Sequence, residues 1–139
     1  MLRVVLAEDE KKVLLLMCKL IDWESLGFEI VGMASDGMHA LEMIRDKHAH
    51  LLVTDIRMPV FDVIDLILQA KQIQPGLHFI VVSGYAQFEY AQNALKYGGE
   101  GYLLKPLKVQ EMTDLLTGLK GKLSEQATIE YRLKKSDEQ

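Results

Sequence analysis

The chain is poor in cysteine and proline and has no excess of positive charge. Its single cysteine, Cys18, excludes an internal disulfide and leaves no zinc-type cysteine spacing, which favours a reducing compartment. Sixteen Lys and Arg against twenty Asp and Glu exclude the basic field of nonspecific nucleic-acid binding, so this chain alone is not expected to bind DNA. The apolar start "MLRVVLAEDE" meets acidic residues too soon for a signal peptide, and no run approaches membrane-spanning length. We therefore expect a cytoplasmic protein with no membrane contact.

The apolar residues are arranged in an alternating pattern. With 139 residues, 49% of them hydrophobic, the chain can bury one sizeable core. Short runs rich in Val, Ile and Leu predict strands at 3–7, 28–34, 51–54, 79–83 and 101–104. Longer segments of helical periodicity predict helices at 11–21, 38–46, 63–73, 87–97 and from 109 onward. This alternation predicts an α/β fold with a doubly wound five-stranded parallel sheet and right-handed crossovers.

The C-terminal segment differs in composition from the rest of the chain. After Leu123 it reads "SEQATIEYRLKKSDEQ", which contains good helix formers but few apolar anchors. We predict a domain over residues 1–123, followed at 124–139 by a polar helical linker or tail toward a domain that this chain lacks. Leu116, Leu119 and Leu123 have the spacing of a coiled-coil seam or of a core-facing stripe, and the core-facing stripe is favoured.

Polar residues follow the predicted strands at the positions where each strand ends. They are Glu8, Asp9 and Glu10 after the first, Asp55 at the end of the third, Ser83 and Gly84 in the fourth, and Lys105 and Pro106 after the fifth. Ligands of open parallel sheets bind beyond these carboxyl ends, so the side chains are expected to converge.

Converging carboxylates repel one another, and Lys105 alone cannot balance three of them. Oxygen ligands without nearby His or Cys select Mg²⁺, which would keep Asp55 ionised. An ionised Asp55 can attack phosphorus and form an aspartyl phosphate. On its own, Asp55 could equally be a loop or helix-cap carboxylate, and the acids near residue 8 could merely favour a helix N-terminus.

Four motifs in order resemble the receiver domains of two-component response regulators. They are "VVLAEDE", "VTDIRMP", "VVSGY" and "GYLLKP", and the resemblance covers about residues 2–120. It implies a flavodoxin-like (βα)5 fold. It also implies that the chain is a phosphoacceptor rather than an enzyme, limited to self-phosphorylation from small donors and autodephosphorylation.

The resemblance assigns roles to the residues around the phosphoacceptor. Asp55 would take the phosphoryl group from the phosphohistidine of a sensor histidine kinase. Asp9 and Asp55 would bind Mg²⁺ directly, Glu8 would act through water, and the backbone carbonyl of Arg57 would supply a further ligand.

Further roles follow from the same resemblance. Ser83 and Lys105 would hold the phosphoryl oxygens, and Ser83 and Tyr102 would form the conformational switch. Arg57 and Tyr85 would tune the lifetime of the acyl phosphate.

Such a switch would act on other proteins or domains through a contact surface. We predict that the face from Ala86 to Leu119 contacts a dimer mate or an effector domain. A narrower resemblance, in "IDWESLGFEIVGMASDGMHALEMI" and "SGYAQFEYAQNALKYGGEGYLLKP", is to receivers attached to AraC-type helix-turn-helix domains. It implies a DNA-binding effector outside this chain and a role in transcription.

The chain departs from the receiver pattern in one loop, where Val60 and Val63 replace the usual glycines. Valine disfavours positive φ, so the loop is expected to follow a different path or carry strain. This favours an alternative function, a degenerate receiver that acts as a protein-interaction module. A Mg²⁺-dependent phosphatase with Asp55 as nucleophile is a further alternative, but "DIR" lacks the second aspartate of Asp-x-Asp.

Two other features have no assigned function. The four histidines, His39, His48, His50 and His78, share no helical face or metal spacing and are interpreted as surface imidazoles. Leu15 falls on the sector of the first helix that carries lysines, and an exposed leucine there hints at a contact surface.

Overall fold

The secondary structure follows the predicted alternation. The computed structural model describes residues 1–56, 62–84 and 99–137, together with 89, 92, 93 and 96. The strands are β1 (Leu2–Ala7), β2 (Phe28–Ala34), β3 (Leu51–Asp55), β4 (His78–Ser83) and β5 (Gly101–Leu104). The helices are α1 (Lys11–Leu20), α2 (Gly37–Lys47), α3 (Val63–Ile73) and α4 (Val109–Asp137). These bounds agree with the predicted ones to within one residue at each end; the helix predicted at 87–97 lies largely outside the described residues.

The five strands form one parallel sheet in the order β2-β1-β3-β4-β5. Strands β1, β3 and β4 are almost wholly buried, because helices cover both faces of the sheet. The flanking strands β2 and β5 are more exposed. Since all strands run the same way, their carboxyl ends share one edge.

Two apolar clusters bind the helices to the sheet. One joins α2 and α3 to a face through residues such as Leu41, Ile44 and Leu66. The other joins α1 and α4 to the opposite face through residues such as Met17 and Met112. Each fully buried Leu, Ile or Met contributes roughly 1.5–3 kcal/mol, so these two layers hold the polar edge of the sheet in place.

Aspartate side chains begin two of the helices. The Asp36 side chain accepts a hydrogen bond from the His39 backbone N–H, and the Asp62 side chain accepts hydrogen bonds from Ile64 and Asp65. Such caps are worth about 1 kcal/mol each.

At the start of α3, Val63 adopts ordinary helical backbone, which fits the expectation of a different path rather than strain at this residue. Val63 is the first helical residue and is buried. Among the described residues other than glycine, only His48 has a positive φ, at 52° as the left-handed C-cap of α2. Val63 therefore begins α3 without a positive φ, in a backbone conformation that valine adopts readily. Val60 lies outside the described residues.

Helix α4 continues well beyond the sheet. Leu116, Leu119 and Leu123 are buried in the cluster that α4 shares with α1, which agrees with the core-facing interpretation. The helix then extends as far as Asp137, with most of its last turns exposed. Among the helices that the structure describes, none is long and apolar enough to cross a membrane.

Candidate functional site

The carboxyl edge of the sheet carries polar residues from four strand ends. Glu8 follows β1 and its backbone N–H donates to the Ala34 carbonyl at the end of β2. Asp55 ends β3 and Ser83 ends β4. Lys105 follows β5, and its backbone N–H donates to the Ser83 carbonyl over 2.7 Å. The peptide bond from Lys105 to Pro106 is cis.

Three carboxylates meet at this edge. One oxygen each from Glu8, Asp9 and Asp55 lies within 4.8 Å of the other two. Glu8 is 1% exposed and Asp55 6% exposed, whereas Asp9 faces solvent. Two buried carboxylates so close together are costly unless a cation compensates them. The donors are all hard oxygens, so they fit Mg²⁺ or a similar ion.

Lys105 is paired with both buried acids. Its Nζ lies 2.8 Å from Glu8 Oε1 and 3.4 Å from Asp55 Oδ1. Asp55 Oδ1 also accepts a hydrogen bond of 2.8 Å from the Ile56 backbone N–H. Oδ1 is thus held in place by a charge and a backbone donor.

The proximity of these groups shifts two pKa values. Burial, reinforced by the neighbouring Asp55 and opposed by Lys105, raises the pKa of Glu8 to about 7. Burial alone would lower the pKa of Lys105, but its contacts with Glu8 and Asp55 outweigh burial and raise it. Ionising the buried Glu8 is therefore costly near neutral pH, and a bound cation would offset that cost.

Ser83 supplies an unused donor at the same edge. The residue is fully buried, and its Oγ has no hydrogen-bond partner among the described residues. A buried hydroxyl without a partner costs about 1–3 kcal/mol, so its presence is explained if an incoming group accepts its proton.

Other residues that the sequence predicted for the site are not among those that the structure brings together. Arg57 and Tyr85 lie outside the described residues, as does Val60. The same holds for most residues between 85 and 98, with which the predicted contact face begins. Tyr102 is partly buried and packs against the α2 and α3 side of the core. The structure thus brings together Glu8, Asp9, Asp55 and Lys105, with Ser83 on the neighbouring strand end.

One apolar surface beside the site was only hinted at by the sequence. The groove between α1 and the start of α4 encloses about 200 Å³, and we call it the α1 groove. Its lining residues are Val13, Leu16, Met17, Leu20, Ile21, Lys105, Pro106, Leu107 and Val109. In the sequence, the unusually apolar run "VLLLMC" within α1 was the signal that could have indicated this groove. Leu15 is also exposed, but on the other flank of α1.

The interpretation of the histidines as surface residues is wrong for His78. Its side chain is only 19% exposed. Both ring nitrogens have partners, Glu100 and Gln126. Sequence spacing gave no signal for this contact, because the partners are 22 and 48 residues away.

The protein has the features of a receiver domain. These are the order of strands in its sheet, the acidic cluster, the lysine that contacts it and the buried hydroxyl of Ser83. The family model of the response regulator receiver domain matches residues 4–117, and the chain belongs to this family. Receiver domains bind Mg²⁺ at an acidic pocket, which corresponds in position to the cluster of Glu8, Asp9 and Asp55.

Two curated proteins that are similar in sequence to this chain are named as transcriptional regulatory proteins. The chain is 40% identical over 126 residues to the uncharacterized transcriptional regulatory protein YesN of Bacillus subtilis (strain 168), covering 91% of this chain and 34% of YesN. It is 31% identical over 126 residues to the transcriptional regulatory protein HptR of Staphylococcus aureus (strain NCTC 8325 / PS 47), covering 91% of this chain and 49% of HptR. The chain therefore spans only a third to a half of these relatives.

Solved structures of receivers share the fold. The REC domain of AraT, a response regulator from Geobacillus stearothermophilus, matches with a TM-score of 0.86 and 33% identity, covering 91% of this chain and 98% of that one. A two-component transcriptional regulator AraC from Clostridium phytofermentans ISDg matches with a TM-score of 0.82 and 30% identity, covering 90% and 97%.

Proposed function

We infer that Asp55 is the phosphoacceptor of this receiver and that it takes a phosphoryl group from a sensor histidine kinase. The observation that carries this proposal is the contact of Lys105 Nζ with Asp55 Oδ1 inside a cluster of three carboxylates. Three carboxylates so close together are costly without a cation, and titratable groups held in this way are typical of functional sites. Glu8, Asp9 and Asp55 would hold Mg²⁺, and the carbonyl of Arg57 remains a predicted further ligand.

The chemistry follows from the positions of the side chains. Oδ1 of Asp55 is held by Ile56 and Lys105, so we assign the attack on phosphorus to Oδ2. A new oxygen to phosphorus bond forms as the bond from phosphorus to the donor breaks, and the donor leaves with its electron pair. Bound Mg²⁺ would neutralise the carboxylates and the phosphoryl oxygens. Lys105 would then contact a phosphoryl oxygen, and Ser83 Oγ would donate its hydrogen bond to another.

A small acyl-phosphate donor tests this proposal without the kinase. After incubation with acetyl phosphate and Mg²⁺, we expect the intact mass of the chain to rise by one phosphoryl group. Chelation of Mg²⁺ by EDTA should prevent the rise, because the carboxylates would then repel the donor. A chain that gains no mass in Mg²⁺ would instead be a degenerate receiver, and sustained release of phosphate over many turnovers would indicate a phosphatase.

The α1 groove is our proposed docking site for a helix of the kinase. It includes Lys105, so a helix seated there would reach the edge that carries Asp55. Leu16 and Leu20 are half exposed, which is unusual for neighbouring leucines on one flank of a helix. All the charged residues of α1 are lysines, namely Lys11, Lys12 and Lys19, so the partner helix should carry acidic residues beside its apolar ones.

Leu16→Glu should separate kinase docking from phosphoryl chemistry. The partner is first identified as the kinase that transfers fastest to the parent chain among a panel of autophosphorylated sensor kinases. The variant should lower the rate of transfer from that kinase at least about tenfold, as expected for an apolar contact residue. Phosphorylation by acetyl phosphate should be unchanged. The control is Leu15→Glu, which places the same charge on the other flank; an equal loss in both variants would contradict docking in the α1 groove.

The rest of the regulator is proposed from the relatives. Because YesN and HptR are about two to three times the length of this chain, we propose that residues 124–139 connect the domain at 1–123 to a DNA-binding effector, of the AraC type. The protein would act in the cytoplasm. The face from Ala86 to Leu119 remains our proposed contact for a homodimer mate or the effector, with Ser83 and Tyr102 as the switch and with Arg57 and Tyr85 as lifetime-tuning residues.

A further inference from the structure

A polar cluster lies at the opposite edge of the sheet from the phosphoacceptor. It joins His78 at the start of β4, Glu100 just before β5, and Gln126 in α4. The His78 Nδ1 pairs with Glu100 Oε1, and His78 Nε2 lies 2.8 Å from Gln126 Oε1. Lys122 Nζ adds a contact of 3.4 Å to Glu100 Oε2. We call His78, Glu100 and Gln126 the base clasp.

The members of the base clasp are shielded from solvent. Both His78 and Glu100 keep less than a fifth of their side-chain surface exposed. Hydrogen bonds that involve a charged group are worth more than neutral ones, and partial burial limits competition from water. The contact with His78 and Lys122 outweighs burial and lowers the pKa of Glu100, so the carboxylate is ionised at neutral pH. His78, positioned by the ionised Glu100, is thus a preorganised hydrogen-bond donor to the side-chain oxygen of Gln126.

Gln126 is the first contact of α4 beyond its buried leucines. Leu123 is the last buried residue of the helix among those described, and the side chains described after Gln126 are exposed. Gln126 also lies beyond residue 117, where the match to the receiver family ends. From Gln126 to Asp137 the helix extends by about 17 Å at 1.5 Å per residue. A tilt at Gln126 would therefore displace the end of the helix more than any part nearer to the receiver domain.

We propose that the base clasp fixes the direction in which α4 leaves the receiver domain. Gln126 contacts His78 at the start of β4, and His78 in turn contacts Glu100 just before β5. The end of α4 would be oriented by the sheet rather than fray freely. This role is separate from the phosphoryl chemistry and holds in the unphosphorylated chain.

Hydrogen exchange of the intact 139-residue chain tests this proposal. Gln126→Ala and His78→Ala should each lower the protection of the backbone amides at residues 124 to 129 by about three- to tenfold, the effect of losing one or two hydrogen bonds. Alanine is a better helix former than glutamine, so helix propensity alone would leave protection equal or higher in Gln126→Ala. The direction of the change therefore separates the base clasp from propensity.

Two controls complete the experiment. Glu125→Ala changes an exposed side chain of the same helical turn, and His48→Asn changes an exposed histidine while keeping a residue that tolerates positive φ. Neither should lower protection at 124 to 129. The double variant of His78 and Gln126 should lose no more than the worse single variant, with amides of β1 and β3 unaffected. Unchanged protection in both single variants, additive losses or an equal loss in Glu125→Ala would overturn the proposal.

Discussion

Asp55→Asn is expected to abolish phosphorylation of the chain by acetyl phosphate. Asparagine keeps the shape of the side chain and can still accept the hydrogen bond of the Ile56 backbone N–H. Its amide is not nucleophilic toward phosphorus, so no acyl phosphate can form. Removing a negative charge beside Glu8 also relieves repulsion, so the variant should fold at least as well as the parent. Loss of phosphorylation would therefore reflect chemistry rather than unfolding.

Intact mass after treatment with acetyl phosphate and Mg²⁺ measures this effect directly. The control is Asp62→Asn, because asparagine replaces aspartate at the cap of α3 with little loss of stability. The control should gain one phosphoryl group as the parent does. If Asp55→Asn gains it as well, the phosphoacceptor lies elsewhere, and peptide mapping would locate it.

The second large effect concerns the stability of the protein without metal. The pKa of Glu8 is raised to about 7 in the folded chain, whereas an unfolded glutamate titrates near 4.5. The folded state therefore binds the proton more tightly. This contribution to stability is complete below about pH 4.5 and disappears as the pH rises through about 7. The size of the change is about 3 kcal/mol, since one pKa unit corresponds to about 1.4 kcal/mol.

Glu8→Gln should remove this pH dependence. In EDTA at about pH 8, the variant should have a free energy of unfolding about 1–3 kcal/mol higher than that of the parent, because no buried carboxylate must ionise. Near pH 5 the two should be close. Urea unfolding at both pH values measures the difference. The control is the exposed Glu24→Gln, which should change stability by less than about 0.5 kcal/mol at either pH.

Mg²⁺ should stabilise the parent more than it stabilises Glu8→Gln. A cation that binds only the folded chain stabilises it in proportion to the logarithm of its concentration. The parent offers three carboxylates and the variant two, so the parent should gain more stability from Mg²⁺ at about pH 8. If the free energy of unfolding of both proteins varies alike with pH, another group titrates in this range. If Mg²⁺ stabilises neither, the acidic cluster does not bind it.

Much of the fold could be predicted from the local sequence. The bounds of β2, α3 and β5 agree with the predictions at every residue, because periodicity and capping residues act within a few positions of the chain. The place of Asp55 at the end of a buried strand was also readable, since a charge after Leu51, Leu52, Val53 and the small, β-branched Thr54 marks a strand end.

Contacts between distant residues could not be read in this way. Lys105 lies 97 positions from Glu8, and nothing in the spacing indicated that its Nζ would lie closer to Glu8 than to Asp55. His78 was misjudged for the same reason, since its burial depends on Gln126 in a helix 48 residues away. The side of α1 that faces Lys105 likewise depends on how the start of α4 packs beside α1.

The sequence by itself determined the order of strands and helices, the parallel sheet and the set of polar residues at its carboxyl ends. It could do so because the spacing of apolar residues within each segment, and the polar residues that end it, depend only on positions close together in the chain. Only the tertiary structure decided which oxygen Lys105 contacts, the lack of a partner for Ser83 Oγ among the described residues, and the clasp at the base of α4. Those depend on distances of a few ångströms between elements, which are set when the two apolar layers pack against the sheet.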